Sequence, residues 1–568
     1  MSFWDLLFLA AGGVIGSGWL FAGTGADEAA GSWAIGSWLI GGLLVVVVTA
    51  VMVEVSTKVP KTGGLIFLPL QTSGPLFATL VAAGVWGFYA ANPASESTAM
   101  VQNLATWGKW PALFNAVSNK PTWDGIGLAA FFLLLITAVN LLGPRRFLAV
   151  NNVLTAFKIF VPLLIVVLLC IALIWPPAHP VHFPPGASSG TGGLGAALSA
   201  VVSSAVAFAY LGFQGPLDFA GNVRGGGIGQ AARLRRAVYG TVLGSILLYT
   251  ALQGVVIYLR YHSTGAVDGA PSVYTAFAEA VVGPGWLGSV VTGLINLDSV
   301  LSPAGTAMVF TYVMTREVAA LSRAHLTHRG LQRSKNSVIR LPKGFLRAVF
   351  DGDDRLDVYW WILFVDFVIS LVMLLFARGY WSVIQNIPTV LALLVYATPS
   401  IALAALRRRE PGLFPKRRYA AMAHVSFAAL AVVFVAAGGE LWGMVTLAAF
   451  CLVLFGLPVV APMARWYDAR AHVREFGELR TNTGAQLAGI LGGYFGLLTI
   501  AEAIRHVWPS GVGWGIGGLA IVAVISLTAF RWLVRLSVKY MAPPNPPPLL
   551  PKPLTQSVKP DGATAAGS

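Results

Sequence analysis

Fourteen apolar runs of about 20 residues constrain this chain more than any other feature, because each is long enough to cross a bilayer as one helix. In order they cover roughly 6–29, 35–56, 76–103, 125–142, 148–175, 196–222, 237–259, 285–315, 358–377, 383–406, 419–437, 441–463, 484–504 and 513–536. Charged residues make up 11% of the 568 positions and hydrophobic ones 56%, where a soluble domain has about 25% and about 45–50%. So few charges cannot clothe a water-facing surface of this size. A cytosolic enzyme, a secreted domain and a nucleic-acid-binding protein are thereby excluded. The pattern predicts an all-α polytopic membrane protein with about 14 transmembrane helices.

The net charge of +15 carries information through its placement. With the N-terminus in the cytoplasm, inside loops and the C-terminal segment hold 32 of the 38 lysines and arginines. Outside loops hold Lys109, Lys120, Arg260, Arg378 and Arg505, and Lys158 lies within a span. Positive residues concentrate on the cytoplasmic side of membrane proteins. The expected localisation is therefore the cell membrane, multi-pass, with both termini cytoplasmic and no nucleic-acid partner. The start of the chain has no basic region or small-residue cleavage site and reads as a retained helix.

No soluble domain is expected. The stretch 316–357 is basic, lies inside, and has room for a short amphipathic surface helix. Residues 272–282 read as a short external helix. The proline-rich tail 541–568 reads as disordered. Cys170 and Cys451 sit in apolar runs and are too few for a disulfide framework, which leaves packing as their role.

Two spans are interrupted by glycine. The first contains Ala11-Gly12-Gly13-Val14-Ile15-Gly16-Ser17-Gly18, and the sixth contains Phe208-Ala209-Tyr210-Leu211-Gly212-Phe213-Gln214-Gly215-Pro216. Glycines also serve close helix packing. Two interruptions in register, five spans apart, instead point to unwound backbone, which hydrocarbon tolerates only where it lines a cavity. Discontinuous helices at matching positions of two halves mark transporter binding sites.

Four segments resemble the amino acid–polyamine–organocation permeases. Gly13-Val14-Ile15-Gly16-Ser17-Gly18-Trp19-Leu20-Phe21 is similar to the family's first-helix break, in the form of its aspartate–proton symporter branch. Val59-Pro60-Lys61-Thr62-Gly63-Gly64 is similar to the loop after helix two, and 208–223 to the helix-six break. Leu297-Asp298-Ser299-Val300-Leu301-Ser302-Pro303-Ala304-Gly305-Thr306 resembles helix eight of that branch. The resemblance covers about 1–410. It implies a LeuT-type 5+5 inverted repeat with discontinuous helices 1 and 6, repeat one at about 6–175 and repeat two at about 196–406. The four spans of 411–540 lie outside that core. The chain departs from the family at Asn222, where a glutamate is usual, at the adjacent Arg224, and in its long basic loop after span eight.

An unwound first helix offers amides near Gly16, Ser17 and Gly18 to a carboxylate, at the positive end of the second half-helix. Carbonyls near Ala11, Gly12 and Gly13, with those of Ala209 and Tyr210, would accept from an ammonium group. Together they suit the backbone of an α-amino acid. Gly212 and Gln214 belong to the same break, and Phe208 and Phe213 are either substrate contacts or packing.

Lys158 is ten residues into its span. Desolvation disfavours its charged form. The resemblance implies that this lysine approaches the helix-one carbonyls and helix eight, where related carriers hold sodium, and that it couples transport to protons. The alternative is that it snorkels toward Arg145 and Arg146. Glu96 follows Pro93 in the third span and would face the cavity. Asp218 and Asp298 match the branch pattern and suit proton carriage, with Ser299, Ser302 and Thr306 either lining that site or bonding helix to helix. Glu54 and Lys58, four apart, read as an ion pair.

No histidine spacing suggests a metal site, no phosphate loop is present, and no nucleophile–base set suggests an enzyme, so no cofactor is expected. The expected function is import of an amino acid with protons by alternating access across the lipid bilayer. The alternatives are an exchanger or polyamine carrier, and a transceptor that senses an amino acid without moving it. The oligomeric state is left open.

Overall fold

The computed structural model describes residues 1–107, 110–115, 120–177, 181–183, 192–222, 228–266, 272–332, 335–336, 357–437, 441–456, 481–507 and 516–542. Twenty α-helices carry these residues. The first ten are α1 (Phe3–Val14), α2 (Gly18–Ala30), α3 (Ala34–Lys58), α4 (Gly64–Ser73), α5 (Pro75–Thr106), α6 (Trp123–Leu141), α7 (Pro144–Ile174), α8 (Leu194–Ser203), α9 (Val206–Ala209) and α10 (Gly215–Asp218). There follow α11 (Ile228–His262), α12 (Val273–Val282), α13 (Trp286–Arg323), α14 (Trp360–Phe376), α15 (Trp381–Ile384), α16 (Asn386–Arg409), α17 (Arg417–Ala437), α18 (Leu441–Gly456), α19 (Thr483–Val507) and α20 (Ile516–Tyr540).

Ten helical stretches of the described residues are long and apolar enough to cross a membrane. They correspond to ten of the fourteen expected spans. The other four take a different form. Spans one and six are broken into short helices, and spans nine and twelve are the shorter helices α14 and α18. Helix α13 runs on to Arg323, so the basic loop begins a full two turns later than the sequence suggested. That helix continues because its C-terminal end is buried, with Glu317, Val318 and Leu321 each about 1–2% exposed. Residues expected to form an amphipathic surface helix lie largely at 337–356, and the tail at 543–568. Both fall outside the described residues, as do Arg224 and the glycines beside it.

Helices α5 and α16 are buried along nearly their whole length and form the centre. Helix α5 starts on Gly74 and Pro75, the proline supplying no amide where none is needed. It packs most broadly on α13, and also on α16, α4 and α6. Around these, α6, α7, α11 and α20 turn large apolar side chains outward, among them Phe131, Phe160, Leu247 and Ile521. An exposed apolar belt is what a hydrocarbon solvent selects. The last four helices pack onto this centre, α17 on α16 and α3, α18 on α5 and α16, α19 on α5, and α20 on α17 and α16. The expected external helix is α12, capped by Ser272, whose hydroxyl accepts the Thr275 amide at 3.3 Å.

Two smaller expectations are corrected. Glu54 pairs with Arg235 of α11 at 2.8 Å, not with Lys58. A cross-helix arginine completes a buried carboxylate better than a lysine at the exposed helix end. Cys170 is exposed on the outer face of α7 and not packed inside, and both cysteines are free.

Candidate functional site

Helix α1 ends at Val14 and α2 begins at Gly18, leaving Ile15, Gly16 and Ser17 out of both helices. The second break runs from Ser204 to Gln214, interrupted by the single turn α9. The two breaks touch through backbone. A methyl group on Gly13 would lie 2.9 Å from the Gly212 carbonyl oxygen, and one on Gly18 2.5 Å from the Ala209 Cα. Gly212 also has φ +106, a conformation that only glycine adopts without strain. Glycine is therefore required here for contact and for backbone direction together.

Lys158 of α7 is completely buried. Its Nζ donates to the Gly12 carbonyl at 2.7 Å and to Thr306 Oγ1 at 2.9 Å. The Thr306 hydroxyl lies 2.9 Å from both the Gly12 and Ile15 carbonyls, and Ser302 donates to Ile15 at 3.1 Å. Tyr249 of α11 donates to the Val14 carbonyl at 3.0 Å. The carbonyls freed at the end of α1 are thus taken by side chains of α7, α11 and α13. This contradicts two expectations. Lys158 does not snorkel toward Arg145 and Arg146, because the break offers it acceptors at its own depth. The Gly12 carbonyl already accepts from both Lys158 and Thr306 and is not free for a substrate ammonium, while that of Ala11 accepts the Ile15 amide at 2.9 Å and keeps a second lone pair.

The amide side of the break is also engaged. Glu96 of α5, 1% exposed, accepts the Ser17 amide at 2.9 Å. Trp381 of α15 donates its indole N–H to Ser17 Oγ at 3.1 Å and packs on Phe21 and Phe208, with ring centroids 4.6 and 6.0 Å away. Phe208 therefore belongs to an aromatic cover over Ser17. Phe213 packs against Tyr396 at 5.5 Å, away from that cover. Tyr210 donates to the Trp38 carbonyl at 3.0 Å and serves to anchor the break to α3.

The expected coupling residues divide into two groups. Asp298, Ser302 and Thr306 recur every four residues along α13 and face the α1 break. Asp298 is completely buried, neither oxygen has a hydrogen-bond partner, and it lies within electrostatic reach of Lys158. Ser299 turns back on its own helix, donating to the Asn296 carbonyl at 2.7 Å, while its backbone carbonyl accepts from Asn103 at 2.8 Å. Asp218 sits elsewhere, accepting from Tyr89 at 2.6 Å in a chain with Gln214 and Tyr396. Gln214 accepts the Gly212 amide at 3.1 Å and so holds the second break in shape.

Asn151 and Thr155 were not singled out from the sequence, yet both reach the Phe8 carbonyl, at 3.1 and 3.3 Å. With Lys158 they form a polar stripe at i, i+4 and i+7 on an otherwise apolar helix, a pattern readable in advance. Trp381 and Tyr89 carried no such signal. The described residues contain no group of three or more potential metal ligands.

The comparisons identify the chain as a carrier. The chain is 28% identical over 418 residues to the aspartate-proton symporter of Bacillus subtilis (strain 168), covering 72% of each chain. It is 26% identical over 558 residues to the glutamate/serine transporter AimA of the same organism, covering 94% of this chain and 93% of that one. It is 24% identical over 342 residues to the branched-chain amino acid permease BcaP, covering 58% and 68%. A sequence model described as amino acid permease matches residues 1–466. The chain belongs to the amino acid permease family, as a multi-pass membrane transport protein and not an enzyme.

Proposed function

We propose that this protein imports an amino acid together with protons, by alternating access around the two helix breaks. The observation that carries this reading is the position of Lys158, a buried cation that donates to the Gly12 carbonyl and to Thr306. A protonated lysine there ties α7 to the ends of α1 and to α13. Loss of its proton weakens that tie, because a charge-assisted bond is roughly twice as strong as a neutral one. Proton binding and helix position are thus linked through one side chain. Sodium is not needed, since the ammonium group fills the place between the α1 carbonyls and α13.

Glu96 completes the reading. Its carboxylate lies on the Ser17 amide, where a substrate carboxylate is expected to bind. Substrate must displace it, and a protonated Glu96 leaves that amide more readily than an ionised one. Asp298, within electrostatic reach, favours the protonated form of Lys158. In this reading residues 6–175 and 196–406 form a 5+5 inverted repeat, 411–540 are four supporting helices, and both termini face the cytoplasm. Relatives named for aspartate and for glutamate and serine support an acidic or small polar substrate.

The test is uptake of a labelled amino acid panel into sealed vesicles without sodium, with and without an inward proton gradient. Accumulation that collapses with a protonophore is the expected result. Uptake that requires only internal substrate would replace symport by exchange.

A further inference from the structure

Glu317, in the inner half of α13, has no part in the site above. It is 1% exposed and lies within electrostatic reach of Asp218 and of the Leu65 and Ile66 amides at the start of α4. Neither of its carboxylate oxygens accepts a hydrogen bond from a described N–H or hydroxyl donor. Asp218, equally buried, accepts from Tyr89 at 2.6 Å, and its backbone carbonyl accepts the Gly63 amide at 3.0 Å. A methyl group on Gly63 would sit 3.6 Å from Glu317 Oε2, which places all three residues together.

Among the described residues neither carboxylate forms a salt bridge. Arg316 is next in sequence but lies over the rings of Tyr359, Tyr312 and Phe219, at 5.1, 5.4 and 5.9 Å. The other ionisable groups facing the pair are Tyr89 of α5 and Tyr396 of α16. Two buried carboxylates that face no cation among the described residues disfavour each other's ionised form. A cavity of about 10 Å³ touches Asp218, between Met52, Ser56, Leu65, Leu68 and Pro399. That is room for about one water molecule.

We propose that Asp218 and Glu317 are a second proton-binding site, a carboxyl pair that shares one proton while α4, α10 and α13 are packed together. When these elements separate, water entering beside Asp218 takes the proton as hydronium, and the two carboxylates left behind repel. The pair then opposes reclosure until a proton returns. This rests on the transport reading for its role in the cycle, but the shared proton is measurable without it.

The test is infrared difference spectroscopy on the full-length protein in lipid at pH 7. Wild type minus Glu317→Gln and wild type minus Asp218→Asn are both expected to lose the same protonated-carboxyl band, which shifts in deuterium oxide. Loss of the band in only one variant, or in neither, overturns the proposal. So does its disappearance on adding sodium, which would make the pair a cation site. Lys158→Ala is expected to keep the band whatever it does to transport, so the two readings fail separately. Should the amide variants not fold, Tyr89→Phe shifts the band, because its hydroxyl donates to Asp218. An unshifted band there also overturns the proposal.

Discussion

Glu96 accepts the Ser17 amide at 2.9 Å, so an acidic side chain of α5 fills the anion position at the head of α2. Helix N-termini attract carboxylates through free amides and the helix dipole. In the proposed reading the protein's own carboxylate and that of a substrate compete for one donor.

This competition gives a pH dependence with a definite sign. Raising the pH ionises Glu96, strengthens its hold on the Ser17 amide and weakens substrate binding. Substrate affinity is expected to fall as pH rises in the wild type and to be flat in Glu96→Gln. Binding isotherms at a series of pH values check it. A Glu96→Gln protein with wild-type pH dependence would place the proton elsewhere.

Gly16 and Gly212 have no room for side chains. A methyl group on Gly16 would lie 2.6 Å from Glu96 Oε1 and 2.8 Å from Thr306 Oγ1. Forcing extra atoms into a packed site costs about 1–3 kcal/mol, and 1.4 kcal/mol is about tenfold in affinity. Gly16→Val and Gly212→Val are expected to weaken amino acid binding by about tenfold or more, as read by isothermal titration. Affinity retained in both would mean that substrate does not bind at the breaks.

Trp381 ties the outer aromatic cover to Ser17 through its indole and through Phe21 and Phe208. Trp381→Ala is expected to speed substrate release and raise the dissociation constant by about tenfold, since truncating an aromatic anchor of a binding site costs about 1 kcal/mol or more. Trp381→Phe keeps the ring and is expected to recover most of the affinity. Stopped-flow release rates distinguish the three proteins.

The Glu54–Arg235 pair joins α3 to α11, with Arg235 about one-third exposed. Removing one partner leaves a buried carboxylate uncompensated. Arg235→Ala is expected to lower the thermal unfolding temperature more than Glu54→Gln does, since the second change removes the charge together with its need for a partner.

The architecture was legible because helices in hydrocarbon satisfy their own backbone, so length and apolarity suffice to find them. The two breaks were legible because glycine clusters at 11–18 and 212–215 interrupt otherwise continuous runs. Lys158 stood out as a charge at mid-span. What the sequence did not carry was which group satisfies which. Gly12 has no feature that says its carbonyl is taken by Lys158 and not by a ligand. Glu54 has an attractive partner four residues away and takes a better one 181 residues distant. Glu317 lay in what read as a polar loop, because the run of apolar residues ends before α13 does.

In the proposed cycle Lys158 is where proton and helix position meet, and one comparison tests that most directly. Wild-type and Lys158→Ala proteins are reconstituted side by side, and labelled amino acid accumulation is measured under an inward proton gradient with sodium absent. Wild type is expected to concentrate the substrate, and Lys158→Ala to insert normally but accumulate none above equilibrium. Accumulation by Lys158→Ala at the wild-type level would contradict the coupling role of this lysine.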